Sequence, residues 1–371
     1  MPTDSDPSDF IIRGYQRGDE HKVAHLLHNC FPNPLNHDVI SQTWNWQFRN
    51  EFSKNSGIGL AAHGSKIIGH RSVMWFNMIC NGRRIKGGIS SASATDPDYR
   101  RKGISSKIGY QLYENLNQDC CELVYAFSND QNVDLNRKKL GFKKVNTLKI
   151  AIKPINIFSL LEKYSGKQLI KPALTYQVHK VLQSVGHAMG TCLDHQMQLK
   201  LTASTQIPSQ CDDIWKTTYM ARKIAIIRDW KYLHWRYLKR PAFQYKLFFV
   251  YSKSREILGY FILHKKKKFG LNLLFVMEFV VKNDSKRICR YMLSCLQQLA
   301  LDYCVDAVTI FLQKSDPNYA LFVKAGLVPV PRRFFPQKIF FSTKVLSRKI
   351  AKSYVAQPKN WYLSWGDLDV V

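Results

Sequence analysis

After the alternating run FIIRGY at residues 10–15, apolar positions across 20–30 and 37–48 recur every three and four residues, the spacing of one helix face. The pattern then changes. GIGLAAH and KIIGHRSVMWFNMIC are dense in apolar and β-branched residues and are parted by Gly64-Ser65, a pair suited to a tight hairpin. Asn81-Gly82 next turns the chain into IKGGISSASATD. Ile104, Ile108, Leu112 and Leu116 recur every four residues and predict a helix with one apolar face. ELVYAFSN follows as a buried strand, and a short helix and KKLGFKKV close the unit near residue 152. Strands, a crossover helix, a strand, a helix and a strand predict an α/β layered domain.

The second half repeats this plan. Trp46 stands 23 residues before Gly69 of KIIGHRS, and Trp235 stands 24 before Gly259 of EILGYFI; Gly69 precedes Gly141 of KKLGF by 72, and Gly259 precedes Gly326 of VKAGL by 67. Hairpin, helix and strand patterns lie between each time, so two copies of one fold are expected. The expected division is a first domain at 8–152, a helical connector at 153–194 broken at Pro172, a second domain at 195–345 and a C-terminal tail at 346–371.

Composition adds compartment and charge. With 371 residues, 45% of them hydrophobic, the chain can fill two ordinary domains. No apolar run reaches the ~18 residues of a membrane span, and the polar, acidic MPTDSDPSDF lacks the form of a signal peptide, so a cytoplasmic protein is expected, with peripheral attachment to the inner face of a membrane as a variant. The nine cysteines include no CxxC pair, which predicts free thiols and no metal site. Lys and Arg number 55 against 27 Asp and Glu, a net charge of +28. Such an excess draws in a phosphate-rich cofactor, an anionic membrane, an acidic carrier protein or nucleic acid. Nucleic acid is disfavoured, because no zinc-ligand spacing, RNP pattern or helix-turn-helix accompanies the charge. The cations cluster in NGRRIK and HKKKKF (Lys265–Lys268), both at expected hairpin tips, and in PRRFFPQK.

Candidate chemistry centres on ATDPDYRRKGISSKI, Ala94 to Ile108. A turn that opens a helix presents unpaired N–H groups and the positive end of the helix dipole, and Gly103 lets the backbone approach closely. Arg100, Arg101 and Lys102 add side-chain donors suited to a diphosphate. GxxxxGK[ST] and GxGxxG are both absent, which argues against nucleotide hydrolysis and a dinucleotide fold.

This segment resembles motif A of the GCN5-related N-acetyltransferases (GNAT), [RQ]xxGx[GA], matched by Arg100, Gly103 and Ser105, with serine in the last place. YAFSN to RKKLGF is similar to motif B, with Asn129 after the strand and Gly141-Phe142 at the closing turn. The resemblance implies two tandem domains, each a mixed, mostly antiparallel sheet flanked by helices. It also implies that acetyl-CoA or another acyl-CoA is the cosubstrate, held by Ala94, Thr95, Arg100, Arg101, Lys102, Gly103, Ile104, Ser105, Ser106, Asn129 and Arg137. Many GNAT enzymes carry a tyrosine four residues before the motif B glycine; here that position is Arg137, which cannot serve as a general acid. The corresponding turn of the second copy, VVKNDSKRICRYML, lacks glycine and carries Asp284, so that copy reads as degenerate. The layout, with RDWKYLHWRY and the ending WYLSWGDLDVV, also looks like bacterial tandem-GNAT proteins linked to surface-polysaccharide or cell-envelope chemistry.

Acyl transfer to an amine needs a base and a group that meets the departing thiolate. Tyr125, His70 and Glu278 are the candidates: Tyr125 and His70 have the structural alternative of strand-core residues, and Glu278 either faces solvent at a sheet edge or is buried with a partner, where a raised pKa would suit base catalysis. Water is a further candidate base. Asp229 and Arg236 are expected to form an ion pair, with Trp235 buried at the domain joint. Asp367 and Asp369 read as solvated terminal residues, with a cationic acceptor as the functional alternative. The expected function is transfer of an acetyl or other acyl group from acyl-CoA to an amine acceptor, an amino group of a sugar or small metabolite. The alternatives are an acyl carrier protein as donor and a non-catalytic binding module.

Overall fold

A computed structural model of the chain describes residues 10–31, 36–52, 57–147, 149–156, 198–219, 224–330 and 339–368, with single positions at 159, 162, 181 and 184. Most of the expected connector, the PRRFFPQK patch and Asp369 lie outside the described residues. In the first half the apolar runs form β1 (Ile11–Gly14), β2 (Ile58–His63), β3 (Lys66–Cys80), β4 (Arg83–Thr95), β5 (Leu123–Ser128) and β6 (Lys143–Thr147). The helical patterns form α1 (Asp19–Cys30), α2 (His37–Phe48) and α3 (Ile104–Gln118). All four residues of the predicted α3 stripe are buried, so the crossover helix lies on the sheet with the face that the spacing marks.

β7 (Ile150–Pro154) is followed in the second half by β8 (Lys200–Ser204), β9 (Ile224–Ile226), β10 (Lys246–Tyr251), β11 (Ile257–Lys268), β12 (Leu271–Val281), β13 (Ala307–Phe311), β14 (Val328–Pro329) and β15 (Phe340–Val345). The first sheet runs β1-β2-β3-β4-β5-β15-β6, with β9 pairing the far end of β3; the second runs β14-β7-β13-β12-β11-β10-β8. Each sheet has one parallel pair, β4–β5 or β12–β13, and is otherwise antiparallel.

The closing strands are exchanged. β7 pairs with β13 from Ile150↔Phe311 to Pro154↔Ala307, and β15 pairs with β5 from Phe340↔Ser128 to Val345↔Leu123. The expected boundaries at 152 and 345 therefore cut the chain where it crosses between sheets. Propensity marks both segments as strands but carries no information about which sheet they join.

A shared core accompanies the exchange. Trp46 and Trp235, matched by their spacing in the repeat, stack with ring centroids 4.6 Å apart and planes within 11°. Each donates its indole N–H to the other's carbonyl, Trp46 to Trp235 at 2.9 Å and Trp235 to Trp46 at 3.0 Å. Around them one apolar cluster takes residues from both halves, including Phe76, Tyr232, Phe249, Phe341, Trp361 and Trp365. The expectation of a solvated Asp367 is corrected: it is 2% exposed, and Trp361, Leu363, Trp365 and Leu368 around it are buried in that cluster. The expected Asp229–Arg236 ion pair is corrected too. Asp229 caps the helix Trp230–Tyr237 by accepting from Tyr232 N at 2.9 Å, whereas Arg236 donates to the carbonyls of Gly366 and Leu368.

A core shared in this way should melt as a unit. Calorimetry is expected to give one transition, and Trp235→Ala to destabilise it by about 3–5 kcal/mol. Two separate transitions would contradict the shared core.

Candidate active site

The turn expected to hold an anion joins β4 to α3. Asp96 caps the short helix Pro97–Tyr99 by accepting from Asp98 N at 3.1 Å and pairs with Lys66 at 2.8 Å, which fixes the exit from β4. Arg101 (φ 65) and Gly103 (φ 76) are both left-handed, and α3 begins at Ile104. A Cβ at Gly103 would touch nothing, so glycine answers to backbone angle there. No side chain caps α3, and its first N–H groups point out of the end, ringed by exposed Arg100, Arg101 and Lys102. Arg100 donates to Thr95 O at 3.3 Å and so ties the turn to the end of β4.

Before the turn, two parallel strands separate. The β4–β5 ladder runs from Gly87↔Leu123 to Ser90↔Ala126 and stops. On its other side β4 pairs Ser72↔Ser91 and His70↔Ala94, so Ala92 and Ser93 together face Arg71 in a bulge, with Ala92 at φ 49. His70 holds the bulge. Its Nδ1–H donates to Ala92 O at 2.5 Å, and Nε2 accepts from Trp44 Nε1 at 3.0 Å. Burial lowers the His70 pKa to about 4, so the ring is neutral with both nitrogens committed.

Two residues that the sequence reading passed over complete the opening. Arg71, 1% exposed, donates to Tyr113 Oη (3.2 Å), Ser93 Oγ (3.3 Å), Ser105 Oγ (3.3 Å) and Asn136 Oδ1. Asn136 in turn donates to Ser128 Oγ at 2.9 Å, at the end of β5. Residues 135–139 form a π-helical turn, closed by Leu140 N to Leu135 O, which points Asn136 inward and leaves Arg137 exposed. Arg137, expected to meet the donor, is thus exposed, while its neighbour Asn136 is turned towards Arg71. Asn129 caps the short helix α4 (Asp130–Asp134) by accepting from Asn132 N. Arg71 is spelled out in KIIGHRSVMW, but only strand register shows that it faces the crossover helix.

The three proposed catalytic residues do not converge. Tyr125 is 1% exposed among Phe127, Phe341 and Trp361 and donates to Asp367 Oδ1 at 3.4 Å; burial, with the Asp367 carboxylate adding to it, pushes its hydroxyl well above the usual range. Glu278 is fully buried. Both of its oxygens accept from Arg228 Nε at 3.0 and 2.9 Å, and Tyr237 Oη donates to it at 2.8 Å. Arg228 also holds Asp367 at 2.6 Å, so Glu278 and Asp367 share one buried guanidinium. Tyr125, His70 and Glu278 thus occupy structural positions, and the alternative of Glu278 facing solvent is excluded.

A cavity of about 340 Å³ opens between the halves. Phe311, Phe341, Trp361 and Leu363 give it an apolar lining, and the exposed Lys149, Lys314 and Lys359 stand around it. Phe341 pairs with Phe127, one residue past the point where β4 and β5 part. Among the described residues no group of three or more His, Cys, Asp or Glu could hold a metal ion, the eight cysteines are free, and no helix is long and apolar enough to cross a membrane.

Residues 11–133 match the family model described as acetyltransferase (GNAT) domain. The chain carries a GNAT domain. No curated protein matches its sequence. Solved structures match almost all of it in fold at low identity. A GCN5-related N-acetyltransferase from Anabaena variabilis aligns with a TM-score of 0.61 at 11% identity, covering 91% of this chain and 73% of its own. N-myristoyltransferase from Saccharomyces cerevisiae, solved with bound myristoyl-CoA, aligns at 0.58 and 10% identity, covering 90% and 78%. A GCN5-related N-acetyltransferase from Kribbella flavida aligns at 0.57 and 11%, covering 91% and 71%. These similarities extend past the GNAT domain, and the second sheet repeats the fold of the first.

In the second GNAT-like copy a cavity of about 610 Å³ lies at the N-terminus of the crossover helix, lined by Ser285, Arg287 and Ile288, but the parting strands themselves are covered. Ser285 caps the helix Lys286–Asp302 through its side chain. Its parallel ladder ends at Phe275↔Thr309, and Trp365 lies across the parting strands, 4.2 Å from the Phe311 ring and 5.2 Å from Phe275. The C-terminal segment fills what the first copy leaves open.

The neutral, buried His70 sets a pH dependence. Its folded pKa of about 4 lies below the usual 6.5, so the unfolded chain binds the proton first. The stabilisation is complete above pH 6.5 and is lost as pH falls towards 4, a change on the order of 3 kcal/mol. Denaturant melts across that window should show the decline, and His70→Gln should flatten it.

Proposed function

We propose that the chain is an acyltransferase that draws its acyl group from acyl-CoA, acetyl-CoA among them, and passes it to an amine. One observation carries the reading: an uncapped, cation-ringed helix N-terminus stands at the mouth of the β4–β5 opening, whereas the parting strands of the second copy are covered. The N–H groups of the first α3 turn and Arg100–Lys102 suit the diphosphate, and the β4 edge beyond Ser90 offers backbone partners to a pantetheine arm.

In the reaction the amine nitrogen bonds to the thioester carbon, the C–S bond breaks, the nitrogen sheds a proton and the thiolate takes one up. The bulge held by His70 breaks the β4 ladder beside that opening, a backbone device suited to meeting the developing oxyanion. Because His70, Tyr125 and Glu278 are committed elsewhere, the amine proton goes to water in this reading. The acceptor enters the cavity between the halves. Its lysines favour an amine that also carries an anionic group, such as an amino sugar phosphate or an amino acid, and keep the amine neutral and nucleophilic. A link to cell-envelope chemistry is consistent with such an acceptor.

The cations of the turn and of Lys265–Lys268 equally suit an acidic acyl carrier protein as donor or an anionic membrane face for docking. Burial of all three catalytic candidates favours a second reading, a module that binds the donor without catalysis. Thermal unfolding with and without acetyl-CoA tests the donor site. A ligand at ~100 times its Kd stabilises by about 2.7 kcal/mol, a rise of several degrees that Gly103→Glu should abolish. No rise with acetyl- or longer acyl-CoAs would overturn the coenzyme reading. Binding without turnover across amine acceptors would favour the module.

A further inference from the structure

Arg71 is an expensive residue in a place that does not require one. Removing a guanidinium from water costs several kcal/mol unless a counter-charge and good hydrogen bonds offset it. Its four acceptors are all neutral, and among the described residues no carboxylate pairs with it. The same chain shows the usual solution at Arg228, equally buried and held by the carboxylates of Glu278 and Asp367.

The second copy supplies an internal control. Counted from the matched Gly69 and Gly259, Arg71 corresponds to Phe261, and counted back from the Ala94↔His70 and Val280↔Tyr260 pairs, Ser93 corresponds to Phe279. Phe261 and Phe279 stack at 6.1 Å. The fold is therefore satisfied by apolar packing at this position, and only the copy with an open anion turn keeps a cation there.

The partners of Arg71 trace the opening. Ser93 lies at the end of β4, Ser105 in the first turn of α3, and Asn136 joins the guanidinium to Ser128 on β5. Ser93 and Ser105 are half-buried, so Arg71 sits one layer below the mouth. The bonds to the two hydroxyls are long at 3.3 Å and readily exchanged for a charged acceptor.

We infer that Arg71 is the counter-ion of the donor's phosphate next to the pantetheine arm, and that donor binding supplies the charge partner that Arg71 does not have among the described residues. The inference rests on the donor-site reading above. That phosphate is common to CoA and to the prosthetic arm of a carrier protein.

Binding of CoA, 4′-phosphopantetheine and pantetheine is compared for the wild type, Arg71→Gln and Arg71→Met, with unliganded melting temperatures as the control for folding. The expected result is a roughly 10- to 100-fold loss for CoA and an equal loss for phosphopantetheine. Pantetheine binding should be unchanged, and the unliganded variants should melt no lower than the wild type. Undiminished CoA binding by the variants would overturn the inference, as would a loss that extends to pantetheine or appears with CoA alone. Binding of phosphopantetheine by a wild type that ignores CoA would keep the inference and move the donor to a carrier protein. Failure of the wild type to bind either phosphate-bearing ligand would overturn both the inference and the donor-site reading.

Discussion

Each sheet is completed by a strand from the other half, and this exchange governs the rest of the molecule. β15 lies between β5 and β6, and β7 between β13 and β14. Neither half can therefore finish its sheet alone, and the inner faces are held together along a core centred on the Trp46–Trp235 stack. Exchange also brings β15, with Phe341, to the neighbourhood of the strand opening in the first sheet, so one wall of the cavity between the halves belongs to a strand that is late in sequence.

On this paired frame the two copies have taken opposite courses. Among the described residues, the first leaves its parallel strands apart, its crossover helix uncapped by any side chain and a guanidinium unmatched by charge. The second caps its helix, packs phenylalanines where the first has Arg71 and Ser93, and seats Trp365 across its parting strands. Gly366 must be glycine for the segment to sit there, because a Cβ would run into Tyr237 Oη and Glu278 Oε1. Arg228, Glu278 and Asp367 then lock it in place. The acidic residues that look chemical in the second half thus serve to close that half.

Local signals were legible in the sequence. The hairpins, the α3 stripe, the repeat marked by Trp46 and Trp235, and the turn at Arg100–Ser105 are set by short-range spacing and by backbone chemistry, which a sequence displays directly. The strand exchange was not legible, since strand propensity does not name a partner. Arg71 was hidden by its surroundings, because a cation within an apolar strand reads as an interruption until register shows which face it takes. The π turn brings Asn136 inward and leaves Arg137 exposed, an arrangement that counting on a regular helix does not anticipate. Tyr125, His70 and Glu278 carry reactive groups, and each is engaged in a buried contact that residue type alone does not reveal.

The central claim is that one copy is open to an acyl donor and the other is filled from within. Titration calorimetry of the intact chain with acetyl-CoA tests it most directly through the number of sites. The account predicts one molecule bound per chain. Two per chain would contradict the closure of the second copy, and none would contradict the opening of the first.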